Sequence, residues 1–199
     1  MSASRLGYWA AIGAVATSIG YGVPQILQVF RLLPDPVDRI LIFAPSLALA
    51  PCFVLAVAAA YEAAVPRHRP LRLAALVTAL LYAGFVSLVY INQLGVVIPR
   101  ELSGEGGGYA LLACCGFRQP MTVIDLLGYS YMSIATLFLA ATYAGALRWA
   151  LLLNGLLAPV IFLQLFWPAL IWVASPWLVT FPVAMYLLAR NFRTQPGTA

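Results

Sequence analysis

Asp125 stands apart from the other acids of this sequence by its surroundings. Asp35, Asp38, Glu62, Glu101 and Glu105 lie at the ends of apolar runs or in the polar stretches between them, whereas Asp125 sits inside the run MTVIDLLGYSY. A carboxylate so placed can hold a cation, exchange a proton, or serve as general acid or base toward a double bond or an acidic carbon. Tyr129 follows four residues later, on the same face if the run is helical. Six amides interrupt other apolar runs: Gln25, Gln28, the adjacent pair Asn92 and Gln93, Asn154 and Gln164. Each amide carries donors and an acceptor, so a set of them around one acid could orient a polar ligand.

Other chemistries find less support. Ser87, Ser130 and Ser133 have no histidine within an apolar run to activate them, and the single histidine, His68, lies between Arg67 and Arg69. No metal site is expected from one histidine and three cysteines without a CxxC spacing, and no cofactor motif is present. Gly106-Gly107-Gly108 reads as a hinge, because no Gly-Lys-Ser/Thr follows it. Cys114 and Cys115 are neighbours, and a bond between neighbours needs Cα atoms closer than the usual disulfide range. They are therefore expected to remain unpaired.

What positions these residues follows from composition. The 199 residues are 63% hydrophobic and 9% charged, against about 45–50% apolar and about 25% charged in soluble domains. Such a chain cannot clothe itself in a polar surface, so a lipid bilayer is its expected partner. Six apolar runs reach the length of about 20 residues that a hydrocarbon core demands. They are 6–30, 40–61, 73–98 and 121–147, followed by the continuous run 149–189, which must be divided. Ser175-Pro176 is the preferred division and Trp167-Pro168 the competing one. The expectation is an all-α, polytopic integral membrane bundle of six transmembrane helices, one domain over 1–193 with a short disordered tail at 194–199.

All eleven basic residues are arginines. With both termini on one side, that side holds Arg5, Arg67, Arg69, Arg72, Arg148, Arg190 and Arg193, and the other holds Arg31, Arg39, Arg100 and Arg118. The bias predicts cytoplasmic termini, and arginine usage points to a bacterial plasma membrane. Ala14-Val15-Ala16 imitates a signal-peptidase site, but the apolar run continues to Phe30, as an uncleaved helix would. The net charge of +5 is accounted for by these helix-end arginines rather than by a nucleic-acid surface.

Placed on six helices, Gln25, Gln28, Asn92, Gln93, Asp125 and Gln164 collect at one depth, toward the outer side, and Tyr129, Met132, Ser133, Thr136 and Tyr143 form one stripe along the fourth helix. Asn154 is the exception toward the inner side. Unpaired polar groups in hydrocarbon cost several kcal/mol each, so these side chains are expected to wall an outward-opening polar cavity. Two plainer readings stand beside that one. Asp125 at the start of its helix can serve as an ordinary N-terminal acid, and amides can simply tie helices together. The segment Tyr109–Phe117 is too short to cross a bilayer and could lie over the same end as a lid.

Val23 to Arg31, VPQILQVFR, resembles the proline-glutamine signature of PQ-loop transporters, the class that includes the SWEET sugar carriers: Pro24, Gln25 and Arg31 match. That class repeats the signature in a second three-helix half, where this chain offers LAPVIFLQLF, with Pro159 followed by Val160 and then Gln164. The resemblance covers nine residues, and the parallel between VPQILQVF and APVIFLQLF makes an internal duplication worth testing. The leading functional expectation is a transport component binding a small molecule or lipid, with Asp125 as ion or proton partner. The alternatives are a membrane enzyme acting on an isoprenoid or sterol-like lipid, and a structural or assembly subunit.

Overall fold

The computed structural model describes residues 2–105 and 107–194. Among these residues no strand forms, and six helical segments are long and apolar enough to cross a membrane. The shortest, Gly145–Leu163, has 19 residues, or about 28 Å at 1.5 Å per residue. That length is close to the ~30 Å hydrocarbon core.

The elements are α1 (Ala3–Val29), α2 (Val37–Glu62), α3 (Arg69–Asn92), a single π turn at Gln93–Val97, α4 (Ile98–Leu102), α5 (Pro120–Ala140), α6 (Gly145–Gly155), α7 (Ala158–Leu163), α8 (Ile171–Ala174) and α9 (Trp177–Thr194). The π turn lets α3 run on into α4, so one long segment rises from Pro66 to Leu102. The bundle closes on itself. α1 packs between α2 and α9, α3 between α2 and α5, and α6 joins α5 to α9. Leu49, Phe53, Tyr82, Met132, Leu139, Phe181 and Met185 fill its centre.

Close approach on α1 comes from small residues at helical spacing. Gly7, Ala11, Ala14 and Ser18 are buried, and a methyl on Gly7 would meet the Phe192 ring at 2.6 Å. Ala16, on another face of α1, is exposed. Most interior prolines are absorbed without a break: Pro24 stays within α1, Pro45 and Pro51 within α2, and Pro182 within α9.

Two boundaries differ from the sequence reading. The last long run divides at Trp167-Pro168, not at Ser175-Pro176. Trp167 leaves helical geometry (φ −129°, ψ 86°), as a residue before proline tends to. Ser175 stays helical (φ −54°, ψ −29°), and Val179 and Thr180 donate to the Pro176 carbonyl, carrying α8 through a bend into α9. The fourth segment ends at Ala140 rather than Leu147, because the chain turns at 141–144 and Gly145 takes φ +63°. Tyr143 therefore leaves the helical stripe and belongs to the turn. Of the expected tail, Thr194 is the last helical residue and 195–199 lie outside the described residues.

Pro24-Gln25 lies in the first of the six segments and Pro159 in the fifth, with Gln164 directly after its end. Direct duplication of three helices would pair the first with the fourth, so the two stretches occupy non-equivalent places.

Candidate functional site

Tyr129 is the hub of the polar cluster. It occupies the second turn of α5 after Thr122, where the stripe Tyr129, Met132, Ser133 and Thr136 turns inward and is buried. The Tyr90 hydroxyl on α3 donates to the Tyr129 hydroxyl at 2.9 Å. Around the Tyr129 ring stand Tyr21 of α1 (6.3 Å between centroids), Tyr82 of α3 (5.7 Å) and Trp177 of α9 (5.3 Å). Asp125, one turn before Tyr129 on the same helix, is buried near enough to Tyr90, Tyr21 and Tyr82 to interact with them electrostatically. Four long helices thus contribute to one aromatic cluster beside one acid.

The cluster retains unused hydrogen-bonding capacity. Asp125 Oδ1, the Tyr82 hydroxyl and Trp177 Nε1 are buried without a partner. Orphaned buried groups are uncommon and call for an explanation. Here one acceptor and two donors surround the same ring. Thr122 and Ser133, on the same helix as Asp125, also have unpartnered buried hydroxyls.

The six residues singled out in the sequence meet different fates. Asp125 and Tyr129 lie together, and Gln25, one helical turn after Tyr21, stands at the edge of the cluster through Tyr21, which stacks on Tyr129. Asn92 does not: its Nδ2 donates at 2.7 Å to the Leu88 carbonyl of its own helix. Gln93 is fully buried, but both ends of its amide are engaged by the loop that follows. Nε2 donates to the Leu112 carbonyl, and Oε1 accepts from the Cys114 N–H at 3.2 Å. Gln164 is buried at the end of α7 and joins none of the hydrogen bonds around Tyr129. The expected wall of amides is therefore replaced by a ring of aromatics. Two surface hollows also lie elsewhere, between α1 and α9.

Gln93 explains how the segment Tyr109–Phe117 is held. Leu112 and Cys114 pack on the core, and Gly116 donates to Gln119 Oε1 at 2.8 Å, so the loop lies over the bundle end as a fastened lid. Cys114 and Cys115 are joined by a disulfide across a cis peptide bond, contrary to the expectation from ordinary disulfide spacing. At the same end, Arg39 bonds both Asp35 and Glu101, tying α2 to α4, and Gln28 donates to Asp38 at 2.7 Å, tying α1 to α2.

Two polar nodes have partners that the sequence did not show. Asn154 is fully buried, donating to Thr136 at 3.2 Å and accepting from Thr180 at 3.1 Å, so it links α6 to α5 and α9. Arg72, read in the sequence as a helix-end charge, is buried. It donates to the Ala60 carbonyl (2.6 Å) and to Thr142 (3.0 Å), with its guanidinium 4.5 Å from the centre of the Tyr143 ring. Burial pushes the Tyr143 hydroxyl above its ordinary value, and the Arg72 charge draws it part of the way back. The available signal was the Arg72 position itself, within three residues of a long apolar run.

Comparison with known protein families, with curated proteins and with solved structures found no match for this chain. The chemistry of the site is thus argued from its own geometry. One buried carboxylate lies near four tyrosines, Tyr21, Tyr82, Tyr90 and Tyr129, and Trp177 packs on the Tyr129 ring; aromatic ring faces carry partial negative charge and can attract a cation.

Proposed function

We propose that this chain is a multi-pass membrane protein of a bacterial plasma membrane, with both termini cytoplasmic. It acts as a transport component whose Asp125 cluster binds a cation, either a proton or a small organic ammonium ion. One observation carries this reading: a carboxylate inside an apolar segment keeps a buried oxygen free of any partner, beside hydroxyls and rings from four helices. Ionisable groups at such depth are costly and mark ion or substrate pathways. The lid fastened by Gln93 lies at the end of the bundle from which α5 starts, so its opening gives a route to Asp125.

The test is uptake of radiolabelled methylammonium into proteoliposomes under an imposed pH gradient. The wild-type chain accumulates it above protein-free vesicles, and Asp125→Asn abolishes accumulation while leaving the helical circular dichroism unchanged. Equal uptake by both proteins, or none by the wild type, refutes the reading. If Asp125→Asn alters only thermal stability, the structural-subunit alternative replaces it. The enzyme alternative instead requires an altered lipid profile in cells lacking the chain, restored by wild type and not by Asp125→Asn.

A further inference from the structure

Far along α1 and α9 from the lid, the seam between these two helices is hollowed twice. One hollow, of about 320 Å³, is walled by Tyr8, Ile12, Tyr186, Ala189, Arg190 and Arg193. The other, of about 330 Å³, is walled by apolar side chains, among them Val15, Ile19, Leu178, Val179 and Val183, and it shares Tyr186 with the first. On α1 the lining residues Tyr8, Ile12, Val15 and Ile19 recur at steps of four, three and four, so they form one face. The two hollows are therefore successive stretches of a single groove.

Its dimensions and chemistry change along its length in a definite order. From Tyr8 to Ile19 the axial rise is about 16 Å, roughly half of a ~30 Å hydrocarbon core. The inner stretch offers only apolar surface. The outer stretch, at the end where α1 begins and α9 finishes, offers the exposed guanidinium groups of Arg190 and Arg193, one helical turn apart, with tyrosines from both helices. Neither guanidinium forms an ion pair among the described residues, where the ion pairs belong to Arg39 and Arg100. Trp9, at the same end, is 59% exposed, as suits a ring at the headgroup level.

We propose that this seam binds one anionic phospholipid of the leaflet adjoining the chain termini. Its phosphate sits between Arg190 and Arg193, and one acyl chain lies along Val15, Ile19, Val179 and Val183. A basic pocket between helices, continuous with an apolar groove one leaflet long, complements such a molecule in charge and in length. The site is independent of Asp125, so failure of the cation reading leaves it standing.

The experiment is native mass spectrometry of the purified full chain, titrated with dioleoyl phosphatidylglycerol and with dioleoyl phosphatidylcholine, which carry identical chains. Phosphatidylglycerol is expected to bind once per chain and at least tenfold more tightly. Arg190→Gln with Arg193→Gln brings the two lipids level, and Val183→Trp, a change on an exposed face, weakens both. Soluble glycerol phosphate fails to displace the bound lipid. Equal binding of the two lipids by wild type, an unchanged preference in the arginine variant, or full retention in Val183→Trp overturns the assignment. Displacement by glycerol phosphate would show a free-anion site and overturn it equally. Should the double arginine variant fail to fold, Arg193→Gln alone, in the last turn of α9, carries the same test with a smaller loss of preference.

Discussion

Asn92 and Gln93 are adjacent amides with opposite predicted consequences when removed. Replacing Gln93 with Ala deletes the bonds to the Leu112 carbonyl and the Cys114 N–H. At a net contribution of about 0.5–1.5 kcal/mol each, the lid loses about 1–3 kcal/mol of closing free energy. Since 1.4 kcal/mol is tenfold in an equilibrium constant, a loss of about 2 kcal/mol raises the open population roughly thirtyfold. Asn92→Ala removes only a bond to the carbonyl of its own helix, and a surface change of that kind stays within about 0.5 kcal/mol. Hydrogen–deuterium exchange resolves the difference. In Gln93→Ala the amides of 109–117 exchange roughly thirtyfold faster while those of α5 keep their protection; in Asn92→Ala neither changes. Equal acceleration in both variants, or faster exchange spread evenly over α3 and α5, would refute the assignment of Gln93 as the fastener.

Other consequences concern the two polar nodes at Arg72 and Asn154. Arg72→Met removes two charge-assisted hydrogen bonds and a cation–π contact. It should destabilise the bundle by about 2–4 kcal/mol in detergent unfolding, and Arg72→Lys, lacking the fork geometry, should recover only part of that loss. Asn154→Ala should cost about 1–2 kcal/mol, consistent with two interhelical bonds at the modest values found in membrane bundles. Thermal unfolding by circular dichroism checks it, and a neutral result would show that α6 is held to α5 and α9 by apolar packing alone.

The helical architecture was legible in the sequence because hydrophobic length is a strong signal and six runs exceeded it. The boundary between the last two segments was not, because two Xaa-Pro steps compete and the sequence does not show which preceding residue leaves helical geometry. Trp167 does, and Ser175 does not. The end of α5 was hidden for a related reason: the turn at 141–144 carries no charge and no proline, only Gly145 after it. At the site, helical periodicity correctly turned Tyr129, Ser133 and Thr136 inward, since the period fixes a face. It could not tell that Asn92 would bond its own helix while Gln93, one residue on and about 100° around, would reach a loop twenty residues away. Side-chain partners across long separations depend on tertiary contact, as do the burial of Arg72 and the gathering of Tyr21, Tyr82 and Trp177 about one ring.

The most direct measurement of the central claim is chemical modification of Asp125 by dicyclohexylcarbodiimide, a lipid-soluble reagent for carboxyl groups in apolar surroundings, located by peptide mass spectrometry. The account predicts a principal adduct at Asp125 whose formation methylammonium slows and Asp125→Asn eliminates. Modification confined to the acids at the helix ends, or an Asp125 adduct formed at the same rate whatever the methylammonium concentration, would contradict it.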